Sequence, residues 1–105
     1  MYEVHAFTAT AAATADCVGP YQPGDRHAML ALLRQAQNSE HDWSAVKGWV
    51  ERAGWTEVSL ERAGTLSPEN LNGAADYLVN AFERAVHDEF GFVVYEQVLP
   101  DDEAD

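Results

Sequence analysis

The stretch Ser67–Leu99, SPENLNGAADYLVNAFERAVHDEFGFVVYEQVL, decides how the rest of the chain is read. Ser67-Pro68-Glu69 has the makings of a helix start. Serine caps free backbone N–H groups, proline suits the first helical position, and glutamate suits the positive end of the helix dipole. Apolar residues then recur at Leu71, Ala74, Ala75, Leu78, Val79, Phe82, Ala85, Val86 and Phe90. Steps of three and four put them on one face, with Asp76, Asn80, Glu83, Arg84, His87 and Asp88 on the other. Gly91 offers a left-handed C-terminal cap. Phe92–Val98 switches to β-branched and aromatic residues, a strand signal. The pattern predicts one long helix feeding a strand that is apolar on both faces where it begins, and so central in its sheet.

Working toward the N-terminus, Trp55–Leu60 alternates, with Thr56, Val58 and Leu60 facing one way and Glu57, Ser59 and Glu61 the other. Before it, Asp42 to Ala53 predicts a helix presenting Trp43, Val46, Trp49, Val50 and Ala53 and stopping at Gly54. Asp25 to Gln37 reads as another helix, with Met29, Leu32, Leu33 and Ala36 inward. Asp16 to Gly24 carries Gly19-Pro20 and Pro23-Gly24 and is loop. Tyr2 to Thr8 alternates as a strand, Tyr2, Val4 and Ala6 against Glu3, His5 and Phe7. The Ala/Thr run Thr8 to Ala15 fits either an edge extension of that strand or a loop. The expected fold is therefore an α+β two-layer sandwich of order β-α-α-β-α-β. It has a three-stranded mixed sheet with helices packed on one face. Residues 1–100 form the domain, and 101–105 a frayed acidic tail.

A chain of 105 residues can fold on a single core without metal or disulfides. Its 18 acidic against 6 basic residues leave a formal charge of −12. Such a field repels nucleic acid and anionic membranes and favours basic partners, and it also serves solubility. A lone Cys17 argues against a disulfide scaffold. No segment is apolar enough for a membrane-spanning helix, and Met1 to His5 lacks a secretory pattern, so a cytoplasmic location is expected.

No catalytic pattern emerges. There is no phosphate-cradling glycine loop, dinucleotide fingerprint or nucleophile elbow. His41-Asp42 and His87-Asp88 are adjacent pairs whose side chains diverge, and Asp42 is better explained as a helix cap. Cys17, paired with His5 or His27, has no helix N-terminus behind it to activate the thiol. Glu3, His5, Glu57 and Glu61 lack any known metal-ligand spacing. No catalytic residue, cofactor or metal is expected. Trp43, Trp49 and Trp55 recur every six residues, which is not a helical period, so one of them should lie partly outward. A tryptophan exposed beside Gly54 would be a docking hot spot.

The expected binding surface is the uncovered sheet face, carrying Glu3, His5, Phe7, Glu57, Ser59, Glu61 and Glu96 and extended by Glu83 and Asp88 of the long helix. A solvated face is polar in any case. As a functional surface, its carboxylates suit an arginine- or lysine-rich partner and resemble the charge array of a nucleic acid. The expectation is a small acidic, non-enzymatic binding protein, monomer or homodimer, that docks a basic surface of a nucleic-acid-handling complex without touching nucleic acid or membrane. By analogy of composition its class is a phage-type inhibitor (anti-CRISPR, anti-restriction or DNA mimic). The alternatives are a small α+β enzyme or ligand-binding domain with a pocket between helices and sheet, and a subunit that self-associates at the Thr8–Ala15 edge.

Overall fold

The computed structural model describes residues 1–17 and 19–99; the acidic tail 101–105 lies outside the described residues. Strand β1 runs from Tyr2 to Ala13 and β2 from Arg26 to Ala36. Helix α1 spans Trp43–Arg52, β3 spans Trp55–Leu66, and a 3₁₀ turn covers Pro68–Leu71. Helix α2, Asp76–Asp88, then leads into β4, Phe90–Leu99. The four strands form one sheet in the order β3-β1-β2-β4, every neighbouring pair antiparallel.

This corrects the expected three-stranded mixed sheet in four places. The Ala/Thr run is neither loop nor edge. It completes β1, which lies centrally between β3 and β2. Its alanines Ala9, Ala11 and Ala13 are buried, and their small size leaves room for Met29 and Trp55 in the same cluster. The segment expected as a helix from Asp25 is the second central strand, β2. Met29, Ala31 and Leu33 belong to one apolar cluster and Leu32 to the other. A strand buried on both faces loses its alternation, and a run of helix-forming Ala, Met and Leu then imitates a helix.

The third correction concerns the long helix. Its first turn is a separate 3₁₀ turn, in which Asn70 Oδ1 accepts from the Ser67 N–H at 2.8 Å. The chain bends at Asn72-Gly73, where Gly73 has φ +77°. Helix α2 ends at Glu89, which takes the left-handed conformation (φ +79°) expected of Gly91. Gly91 instead lies inside β4, where a Cβ would collide with the Ala81 carbonyl of α2. The last strand begins earlier than expected and sits at the edge, not the centre, with Tyr95 to Val98 exposed.

Fourth, the helices cover opposite faces. Val46 and Val50 of α1 pack with Phe7, Ala9, Ala11 and Leu33. Ala81 and Ala85 of α2 pack with Val4 and Leu32. Neighbouring strand residues point to opposite sides, so Leu32 and Leu33 cannot serve the same layer. The α1 helix itself lies where the sequence places it: Asp42 Oδ1 accepts from the Ala45 N–H at 3.1 Å, and the helix stops before Gly54. Among the described residues no helix is long and apolar enough to cross a membrane.

Candidate functional site

Alternation along β1 puts Glu3, His5 and Phe7 on the α1 side of the sheet, so Glu3 and His5 are neighbours two residues apart. The Glu3 carboxylate reaches His5 Nε2 at 2.6 Å. His5 is fully buried, as is Phe7. His41, just ahead of the α1 cap, places its Nδ1 2.8 Å from His5 Nδ1, with the two rings edge to face at 4.6 Å. The loop carrying His41 is tied to β2 by Gln35. The Gln35 amide donates to Ser39 Oγ at 3.1 Å and to the Glu40 carbonyl at 2.7 Å, and its Oε1 accepts from the Asp42 N–H at 3.0 Å. Phe7 and Trp43 pack edge to face at 5.3 Å and complete the wall.

The hydrogen-bond pattern assigns the protons. An ionised Glu3 only accepts, so His5 Nε2 carries a proton, and neutral His5 then offers Nδ1 as an acceptor. His41 Nδ1–H donates to it, which leaves His41 Nε2 as an acceptor. Glu3–His5–His41 is thus a continuous relay. His41 can take a proton at Nε2 while both internal hydrogen bonds persist.

Glu3, Asn38, Ser39, Glu40, His41, Trp43 and Thr65 line an open cleft of about 710 Å³ beside this relay. No lysine or arginine contributes to that lining, and the Trp43 indole is 41% exposed. Of the three tryptophans, Trp55 is buried and Trp49 stacks on Phe90 at 5.2 Å, so the outward one is Trp43 and not the one beside Gly54.

The residues expected to form one docking face do not share a surface. His5 is buried against His41 of the loop before α1 and Phe7 packs with Trp43, Val46 and Val50 of α1, so no bare sheet face carries them. Glu57, Ser59 and Glu61 are exposed on edge strand β3. Glu61 falls at the register shift opposite Thr8/Ala9, and Glu57, with φ +50°, in the shift opposite Thr10/Ala12. Charged residues at bulges blunt an edge strand against unwanted pairing. Glu96 is exposed on β4, the opposite edge, and Glu83 and Asp88 on α2. Of the expected set, Glu3 and His5 meet within the relay. His41, which completes it, reads in the sequence only as part of a helix start. The contact spans 36 positions, and no local pattern announces it.

Glu57 and Glu61 do not approach His5, whose β3 neighbour is Thr65. Among the described residues no group of three or more histidine, cysteine or carboxylate side chains is arranged to hold a metal ion. Cys17 offers no activated nucleophile, because burial pushes its thiol pKa up. A second buried histidine, His27, donates from Nδ1 to the Tyr95 carbonyl at 2.8 Å and lies edge-on to Tyr21 and Trp55. No protein-family model, curated protein or solved structure matches the chain.

Proposed function

We propose that the protein is a small non-enzymatic binding protein that docks a basic protein surface, of the kind presented by nucleic-acid-handling complexes, and blocks it. The observation that carries this reading is uncompensated charge. Among the described carboxylates all but Glu3 and Asp25 are exposed. Among the described residues the one carboxylate–arginine pair is Glu57 with Arg26, at 3.9 Å. Exposed charge of one sign speeds encounter with a partner of the other sign and sets register more than it adds raw affinity.

Affinity capture from lysate of the source cells, at low and at high salt, tests it. A basic nucleic-acid-binding complex captured at low salt and released at high salt is the expected result. Capture that persists unchanged in high salt would overturn an electrostatic dock, because exposed pairs are screened beyond about 10 Å at 0.1 M salt.

A second reading, a proton-transferring enzyme, has the relay in its favour, since His41 Nε2 is placed as a general base at a cleft. Turnover of acyl, phosphoryl or glycosyl test substrates, lost in His41→Ala, would establish it.

A further inference from the structure

We infer that the cleft beside the relay is a receptor for an alkylammonium group, supplied by a lysine side chain of the partner. The source of the ammonium rests on the docking reading; the chemistry of the cleft does not.

The cleft combines an indole, carboxylates and an uncharged acceptor, and these match the features of an ammonium one by one. A cation gains from contact with the ring of an exposed tryptophan, and Trp43 is such a residue in the cleft lining. An ammonium carries three N–H donors and no acceptor. The cleft lining offers acceptors in matching kind: the Glu40 carboxylate, the Glu3 carboxylate oxygen left free by His5, and His41 Nε2. Among the described residues no lysine or arginine lines the cleft.

The N-terminus of α1 works in the other direction, because its dipole favours anions. Asp42 offsets it by capping the Ala45 N–H, and Glu40 adds a second negative charge on the same loop. An anionic ligand would face Glu3 and Glu40 together in the cleft, so the balance of charge selects a cation.

The relay adds a condition. His41 accepts from the ligand only while Nε2 is bare, and a proton there turns an acceptor into a donor facing an ammonium. That proton leaves the His41–His5 and His5–Glu3 hydrogen bonds in place, so the fold survives while the ligand is expelled. The charged and titratable groups around His41 are Glu3 and His5 from β1 and Glu40 and Asp42 from its own loop. The neighbouring Gln35 of β2 and Thr65 of β3 are neutral. Binding by this route therefore requires His41 Nε2 to be bare.

The probe is a blocked Gly-Lys-Gly peptide, titrated into the intact protein and followed by NMR at the Trp43 indole N–H and the His41 ring. Saturable shifts centred on these two groups are expected, weakened about tenfold in Trp43→Ala and in Glu40→Gln. Circular dichroism checks that both variants keep the fold. Absence of saturable shifts, or equal shifts from the norleucine peptide, would overturn the cleft as an ammonium receptor. Spermidine binding more tightly than the peptide would overturn a protein partner as the source. If the peptide binds and lysate capture yields no basic partner, the docking reading fails and the cleft stands. If a partner is captured with salt sensitivity and Glu40→Gln and Trp43→Ala capture it unchanged, the cleft fails and the docking reading stands.

Discussion

His5 and His27 are both buried, one on each central strand, and both point to the α1 side of the sheet, yet their surroundings differ in kind. His27 sits among the rings of Tyr21 and Trp55 and gives its Nδ1 proton to a backbone carbonyl. A carbonyl cannot change its charge, so that bond fixes one tautomer and closes the matter. His5 is held between two groups that do exchange protons, a carboxylate and a second imidazole, and the chain of contacts opens onto a cleft. Burial alone therefore does not mark a functional histidine; the partner's capacity to change state does. At the His27 end the imidazole is structural packing with one satisfied donor, and at the His5 end it is a coupling element.

The largest expected effect breaks this contrast directly. Replacing His5 by leucine removes both of its hydrogen bonds and leaves Glu3 beside an apolar side chain, which should cost about 2–3 kcal/mol. His27→Leu loses one bond to the carbonyl of Tyr95, an exposed edge residue whose carbonyl can turn to water, and should cost about 1 kcal/mol. Urea midpoints of the two variants measure the difference. Equal costs, or the reverse order, would mean that the relay contributes no more to the fold than an ordinary core contact.

A smaller effect sharpens it spectroscopically. The His5 Nε2 proton, on a 2.6 Å hydrogen bond to a carboxylate, should resonate far downfield of the amides and exchange slowly. Glu3→Gln replaces the charged acceptor by a neutral amide and should move that signal upfield while the His27 Nδ1 proton stays where it is. A signal unmoved by Glu3→Gln would show that Glu3 is not the acceptor.

Which of these features the sequence discloses follows from how local their causes are. Helix α1 is legible because its cap, its apolar face and its stop at Gly54 lie within a dozen residues. The period-two alternation of β1 likewise suffices to put Glu3 and His5 on one face. Strand β2 is illegible for the opposite reason. Its apolar residues answer to two helices on two faces, and what remains is a run of good helix formers that tertiary burial overrides. The break in the expected long helix is written at Asn72-Gly73, a strong turn dipeptide, but the apolar spacing on either side conceals it. His41 is the hardest case. Its role exists only because β1 and the loop before α1 meet, and neither segment carries a trace of the other.

The smallest effect concerns the ionisable groups around His27, and it tests whether that end of the sheet is built to stay neutral. Burial raises the Tyr21 hydroxyl pKa above its ordinary value of 10.0, with the negative charge of an ionised Cys17 and of Glu96 adding to the shift. Burial likewise raises the Cys17 thiol above 9.0. For both groups the folded state holds the proton more tightly than the unfolded chain. Their contribution to stability is therefore complete below the unfolded pKa values and is lost as pH rises through the higher folded ones. Absorbance titration of the tyrosinates should show a step above the ordinary tyrosine value of 10.0, and Tyr21→Phe should delete that step. Glu96→Gln should bring the step to lower pH without removing it, since burial is the larger cause. Iodoacetamide should label Cys17 at pH 8 more slowly than a free cysteine peptide, because less of this half-buried thiol is present as thiolate. If Tyr21→Phe removed no step above the ordinary tyrosine value and Cys17 reacted like the free peptide, the His27 end would be as open to proton exchange as the His5 end. The distinction between a closed and a coupled histidine would then rest on hydrogen-bond partners alone.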